Sequence, residues 1–186
     1  MVLLISPIHC RTSSGRKAMK IKSVQINNHR KCFEIETKKG KLAFPYSKTK
    51  LVPSARNKIA EVFVDKELGG EWITYRLEGG QENSIPLDAF LDYNRDPEYL
   101  TKMLLHRLTI DALEKVKGAR LSRRELARKL STSPAQLYRL LNPVNYSKTV
   151  DQMIKLLAVL GYEVDYKIMR ERKKALNFLI PPSIAS

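Results

Sequence analysis

Leu121 to Asn145 reads LSRRELARKLSTSPAQLYRLLNPVN. Ser122 followed three residues later by Glu125 is the signature of a capped helix start. Leu126, Ala127 and Leu130 recur at helical spacing behind it. Ser131-Thr132-Ser133 interrupts the run. Ser133 then caps a second helix, with Pro134 in its first position and Gln136 completing a second capping box. Leu137, Leu140 and Leu141 supply its apolar face, and Asn142-Pro143 stops it. Two capped helices of about eight residues joined by a three-residue turn make a helix-turn-helix pattern.

Charge gathers on this stretch. The 186 residues carry 34 Lys+Arg against 19 Asp+Glu, a formal net charge of +15. Residues 115–148 hold nine basic side chains and one acid, whereas residues 19–97 hold 14 and 11. Residues 98–186 have a net charge of +9. A basic excess centred on a helix-turn-helix points to nucleic acid, with the second helix in the major groove of double-stranded DNA and the first across the backbone. A membrane surface fits less well, because no long basic amphipathic helix is present, and no apolar run approaches the roughly 20 residues that span a bilayer. Two cysteines, Cys10 and Cys32, form no CxxC pair, which fits a reducing, cytoplasmic setting and neither a disulfide scaffold nor a metal site.

The chain on either side gives an α+β reading. Residues 1–18 have no core-forming pattern and make a poor signal peptide, so a disordered leader is expected there, with Met19 opening the ordered chain. Residues 19–95 read as a small, mostly antiparallel β-sheet domain. Val24 and Ile26 mark a strand, and Phe33, Ile35 and Thr37 alternate with Glu34 and Glu36. Gly40 turns the chain towards Leu42 and Phe44, and residues 60–64 and 72–77 add strands. Ser84 to Tyr93 begins as a strand and ends as a short helix. Phe63, Trp72, Tyr75 and Phe90 are its expected aromatic core. Seven basic residues and no acid lie between Thr37 and Glu61, a second candidate surface for an anionic partner.

Residues 96–168 read as the helical domain. Tyr99 to Lys117 carries Leu100, Leu104, Leu105, Leu108, Ala112 and Val116 on one side, and Gly118 ends it. Thr149 and Gln152 cap a further helix with Val150, Met153, Ile154, Leu157 and Leu160 as its stripe, closed by Gly161. Tyr162, Val164, Tyr166 and Ile168 then alternate like a C-terminal strand whose open edge could pair a homodimer. Residues 169–186 form a basic and apolar tail.

LARKLSTSPAQLYRLLNP, with the Asn-Tyr-Ser-Lys-Thr after it and VDQMIKLLAVLGYEVDYKI, resembles the lambda-repressor-like helix-turn-helix family. Within that family it is most similar to antitoxins of toxin–antitoxin modules and small prophage regulators. Ala127, Ser133, Leu137, Arg139-Leu140-Leu141-Asn142 and Leu160-Gly161 sit at family-like positions, whereas Pro134 and Ala135 stand where many members carry polar base readers. The preceding residues 20–94 are similar to a small domain of unknown function found before such modules. The resemblance implies an all-α DNA-binding domain, a transcriptional regulator acting as a homodimer, and, as an alternative, an antitoxin that neutralises a toxin protein and regulates its own operon.

Chemistry narrows the contacts. Arg123, Gln136 and Arg139 are the candidates for groove contacts, since Gln pairs bidentately with adenine and Arg with guanine. Arg124, Ser133, Tyr138 and Lys148 are candidates for phosphates. An enzyme is not indicated: His9, His29 and His106 are scattered, and no nucleophile elbow, HExxH or glycine-rich phosphate loop is present. No cofactor or metal is expected. An RNA-binding sheet would need aromatic motifs that the strands lack.

Overall fold

The computed structural model describes residues 19–165 and 167–168. It is α+β, but the expected single sheet is in fact two. β1 (Ile21–Asn27), β2 (Cys32–Thr37) and β3 (Gly40–Pro45) form one three-stranded antiparallel sheet, and β4 (Ile59–Asp65), β5 (Trp72–Leu77) and β6 (Glu82–Pro86) form another. Pro45 ends β3 without a backbone N–H to extend the ladder. A 3-10 turn at Tyr46–Lys48 and a long connection then carry the chain away, so β4 starts a separate meander.

Both sheets bury one face in a shared core. Phe33 and Ile35 from β2, Phe44 from β3, Ile73, Tyr75 and Leu77 from β5, and Ile85 from β6 meet there. Helix α1 (Leu87–Tyr93) closes it with Leu87, Phe90 and Leu91. The Phe33 ring lies 4.8 Å from both Tyr46 and Tyr75, centroid to centroid, a spacing at which aromatic edges and faces attract. The sheets join where the Ile21 amide donates to the Gly70 carbonyl at 2.9 Å. Of the four expected core aromatics, Tyr75 and Phe90 are fully buried and Trp72 is half-buried. Phe63 is 37% exposed, because Val62 and Val64 take the inward positions of β4 and the period of two turns Phe63 out.

The helices follow: α2 (Pro97–Gly118), α3 (Arg123–Lys129), α4 (Pro134–Leu140) and α5 (Val150–Val159). The Asp96 carboxylate accepts from the Tyr99 amide at 2.8 Å and Pro97 takes the first position of α2, so the helix starts where its orphan donors are met. A second core gathers Leu105 and Ala112 from α2, Leu126 and Ala127 from α3, Leu137 and Leu141 around α4, and Met153, Leu156 and Leu157 from α5. Two stripe positions differ from the sequence reading. Leu104 is 47% exposed while Leu105, His106, Thr109 and Ala112 are buried, and on α5 Ile154 is exposed while Leu156 is buried.

The expected C-terminal strand is not formed. Residues 162–165 and 167–168 adopt no strand, and Tyr166 lies outside the described residues. A lone extended segment leaves its backbone groups unpaired. Here the Tyr162 amide instead closes α5 on the Leu157 carbonyl, and the Lys115 ammonium sits 5.1 Å from the Tyr162 ring centroid. The route to a dimer through pairing of that strand falls with it. The leader at 1–18 and the tail at 169–186 also lie outside the described residues.

Candidate nucleic-acid interface

The two short helices are positioned by local chemistry that their sequences dictate. Ser122 accepts from the Glu125 amide at 3.2 Å, and the Glu125 carboxylate accepts from the Ser122 amide at 2.8 Å, a closed capping box. Those hydrogen bonds hold the Glu125 carboxyl below its usual range. The one acid among residues 115–148 is thereby occupied with the helix start.

Between the helices, Ser131 takes φ +50°. Its amide donates to the Arg128 carbonyl and the Thr132 amide to the Ala127 carbonyl, both at 3.0 Å. This pair of bonds is a Schellman motif, with Ser in the left-handed position that glycine usually fills. Gly161 fills the same position after α5.

At the start of α4, Ser133 accepts from the Gln136 amide at 3.2 Å. The second capping box is only half made, since no hydrogen bond returns from the Gln136 side chain to the Ser133 amide among the described residues. Gln136 is exposed, and among the described residues its side-chain amide makes no hydrogen bond. Arg139, one turn on, is exposed as well, and its spacing of three sets it on the same face of the helix. Tyr138 is 55% exposed, so it is not packing in the core. The Arg123 guanidinium lies 5.0 Å from its ring centroid, bridging α3 and α4. Arg124, Arg128 and Lys129 are exposed on α3.

Lys148 is placed differently from the other six. It is buried, and its ammonium donates to the Leu140 carbonyl at 2.9 Å and the Asn142 carbonyl at 2.7 Å. Burial pushes its pKa down from 10.5 to about 8. Two of its three N–H donors thus hold the end of α4, and the side chain points away from any phosphate outside. The Asn145 side-chain amide adds a bond to the Arg139 carbonyl at 3.1 Å. His106 of α2, also buried, brings Nδ1 within 3.3 Å of the Pro143 carbonyl. A carbonyl can only accept, so that nitrogen carries the proton.

Sequence reasoning missed this brace. Part of it was visible: Asn142-Pro-Val and Asn145-Tyr-Ser both have the form of Asx turns. Asn142 Oδ1 does accept from the Val144 amide, and Asn145 Oδ1 accepts from the Ser147 amide and hydroxyl. Burial of Lys148 and His106 had no local signal.

The structure leaves Arg123, Arg124, Ser133, Gln136, Tyr138 and Arg139 exposed on α3 and at α4, joins Arg123 to Tyr138 across the two helices, and buries Lys148 at the end of α4. Comparison of the chain with known protein families, with curated proteins and with solved structures finds no match.

Proposed function

We propose that this protein is a sequence-specific double-stranded DNA-binding protein acting as a transcriptional regulator, with α4 in the major groove. The observation that carries the reading is the exposed face of α4. Gln136 and Arg139 stand there one turn apart, their side chains without hydrogen-bond partners among the described residues, on a helix fastened at both ends, and the one acid among residues 115–148 is engaged in a cap. Gln136 offers an amide that can accept from N6 and donate to N7 on the major-groove edge of adenine, and Arg139 a guanidinium that can donate to O6 and N7 of guanine. Ala135, also exposed, fits a thymine methyl. Arg124, Arg128 and Lys129 supply phosphate contacts that set register, and the Ser133 hydroxyl can donate outward while its oxygen caps α4. A helix reads only a few base pairs, so two copies on two half-sites complete the proposal. No helix among the described residues is long and apolar enough to cross a membrane, and a cytoplasmic site of action belongs to the same reading.

The test begins with selection of bound duplexes from a random pool by the full chain. The selected site and a scrambled site are then titrated at two salt concentrations with Arg139→Ala and Arg124→Ala. Arg139→Ala is expected to cost about 1–3 kcal/mol on the selected site and to relax preference at one position. Arg124→Ala is expected to weaken both duplexes alike. Unchanged affinities for Arg139→Ala would show that α4 does not lie in the groove.

A further inference from the structure

The seven basic residues between Thr37 and Glu61 do not form one surface. Lys39 is engaged with Asp96 at 3.1 Å and Glu98 at 2.8 Å. Lys38 shares the β2–β3 turn with it, and Lys41 stands opposite Glu36 on β2. Arg56 and Lys58 flank the start of β4, where the Lys58 backbone pairs with Glu78. Lys48 and Lys50 alone lie in the loop after β3, and through Tyr46 that loop is fastened to a second basic segment at the far end of the first sheet, which sequence distance conceals.

That end is the β1–β2 turn, Asn28-His29-Arg30-Lys31. The Tyr46 amide donates to the Lys31 carbonyl at 2.9 Å, and the Tyr46 hydroxyl donates to Asn28 Oδ1 at 3.2 Å. The Arg30 amide donates to Asn27 Oδ1 at 3.0 Å, and Lys31 adopts φ +52°. On the other side, the Thr49 hydroxyl bonds the Tyr46 carbonyl at 2.7 Å and the Leu51 carbonyl at 2.9 Å. Buried Tyr46 and Thr49 thus fasten two loops together, and His29, Arg30, Lys31, Lys48 and Lys50 are left exposed around them. Glu34 is the nearby acid; it lies 3.9 Å from Arg30 and accepts from Asn27. No carboxylate is within ion-pairing distance of Lys31, Lys48 or Lys50 among the described residues.

We infer that this end of the β-rich half is a second DNA-binding surface, which holds the phosphate backbone of the duplex without reading sequence. Like charges held together on a fixed scaffold repel one another, and a polyanion relieves that repulsion while releasing its own counterions. The residues are mostly lysines, point charges that suit phosphates rather than base edges. The surface is separate from α4, although the choice of duplex DNA as its partner rests on the reading of α4 given above.

The experiment compares the full chain with Lys31→Gln/Lys48→Gln/Lys50→Gln, all exposed positions, on the selected and the scrambled duplex across a salt series. The triple variant is expected to weaken both duplexes by the same factor. It should also flatten the slope of log K against log salt by roughly 0.9 for each phosphate that the variant no longer neutralises, so by about two to three in all. Preference for the selected site should persist. Arg139→Ala, run beside it, should lose preference and keep most of the slope. If the triple variant leaves the slope unchanged while Arg139→Ala loses preference, the second surface is overturned and the α4 reading stands. If the slope flattens while Arg139→Ala changes nothing, the reverse holds. Binding of the wild-type patch to poly-glutamate in preference to duplex, abolished in the triple variant, would identify an acidic protein instead and overturn the inference.

Discussion

Lys148 shows how little a residue type says about its task. In the sequence it is one more cation in a basic run. In the structure it is buried and holds the end of α4 through the Leu140 and Asn142 carbonyls. Its pKa of about 8, against 10.5 in an unfolded chain, sets a pH dependence with a definite sign. Below about pH 8 the amine is protonated in both states, and the cost of burying the charge is fully present. Between about 8 and 10.5 the unfolded chain keeps a proton that the folded chain has released, so the stability contributed by this site rises with pH. Lys148→Met keeps the aliphatic stem and removes the titration. Thermal melts of wild type and Lys148→Met from pH 7 to pH 10 should show the wild type gaining relative to the variant above pH 8. A constant difference would mean that the ammonium is no harder to bury here than in water. Ser131 makes a second case, because a β-carbon at φ +50° is strained. A left-handed residue costs roughly 1–2 kcal/mol unless it is glycine, and glycine gives back about 0.5–1 kcal/mol in chain entropy. Ser131→Gly should therefore raise the melting temperature slightly without altering DNA affinity. A lower melting temperature would show that the hydroxyl has work in the turn.

Local chemistry made the elements easier to read than the way they assemble. Ser122 with Glu125 and Thr149 with Gln152 announce helix starts within four residues of sequence, and the structure makes both of those caps. The alternation of Phe33, Ile35 and Thr37 with Glu34 and Glu36 becomes β2, inward and outward as read. What failed depended on distant partners. Period two marks a strand but not the sheet it joins, so the separation of β1–β3 from β4–β6 was invisible. The same pattern at Tyr162 to Ile168 had no neighbour among the described residues to pair with, and residues 162–165 and 167–168 stay out of any strand. Leu104 and Ile154 follow a helical stripe in sequence, yet Leu105 and Leu156 are the ones that face the core, because the packing of α2 on α5 sets the rotation of each helix. In the interface, residue identity was enough to nominate Gln136 and Arg139. It could not show that Gln136 leaves its capping box open, nor that the loop carrying Lys48 and Lys50 is fastened through Tyr46 to the turn carrying Arg30 and Lys31.

At the scale of the whole molecule, two cores share one chain. The first is built from both sheets and α1, the second from α2 to α5, and the buried residues of one cluster do not recur in the other. Their junction is narrow. Tyr99 of α2 packs on the first core, and Lys39 in the β2–β3 turn reaches Asp96 and Glu98 at the start of α2. Lys102 and Lys39 together hold the Glu98 carboxyl near 2, but the pair is partly exposed, and such pairs contribute little to stability. A weak junction between two apolar cores predicts two unfolding transitions rather than one. Leu126→Ala empties space in the second core and Ile73→Ala in the first, since both side chains are fully buried. Each should destabilise its own core by about 2–5 kcal/mol. In a calorimetric scan, Leu126→Ala is expected to lower one transition and leave the other in place, with Ile73→Ala doing the converse. If either substitution moves both transitions together, the junction transmits the full cost and the two cores fold as a unit. The consequence for the proposed interface would be direct: α4 and the basic end of the first sheet would then be held in a fixed relation, and the phosphate-binding and groove-reading surfaces would have to meet the duplex as one rigid face.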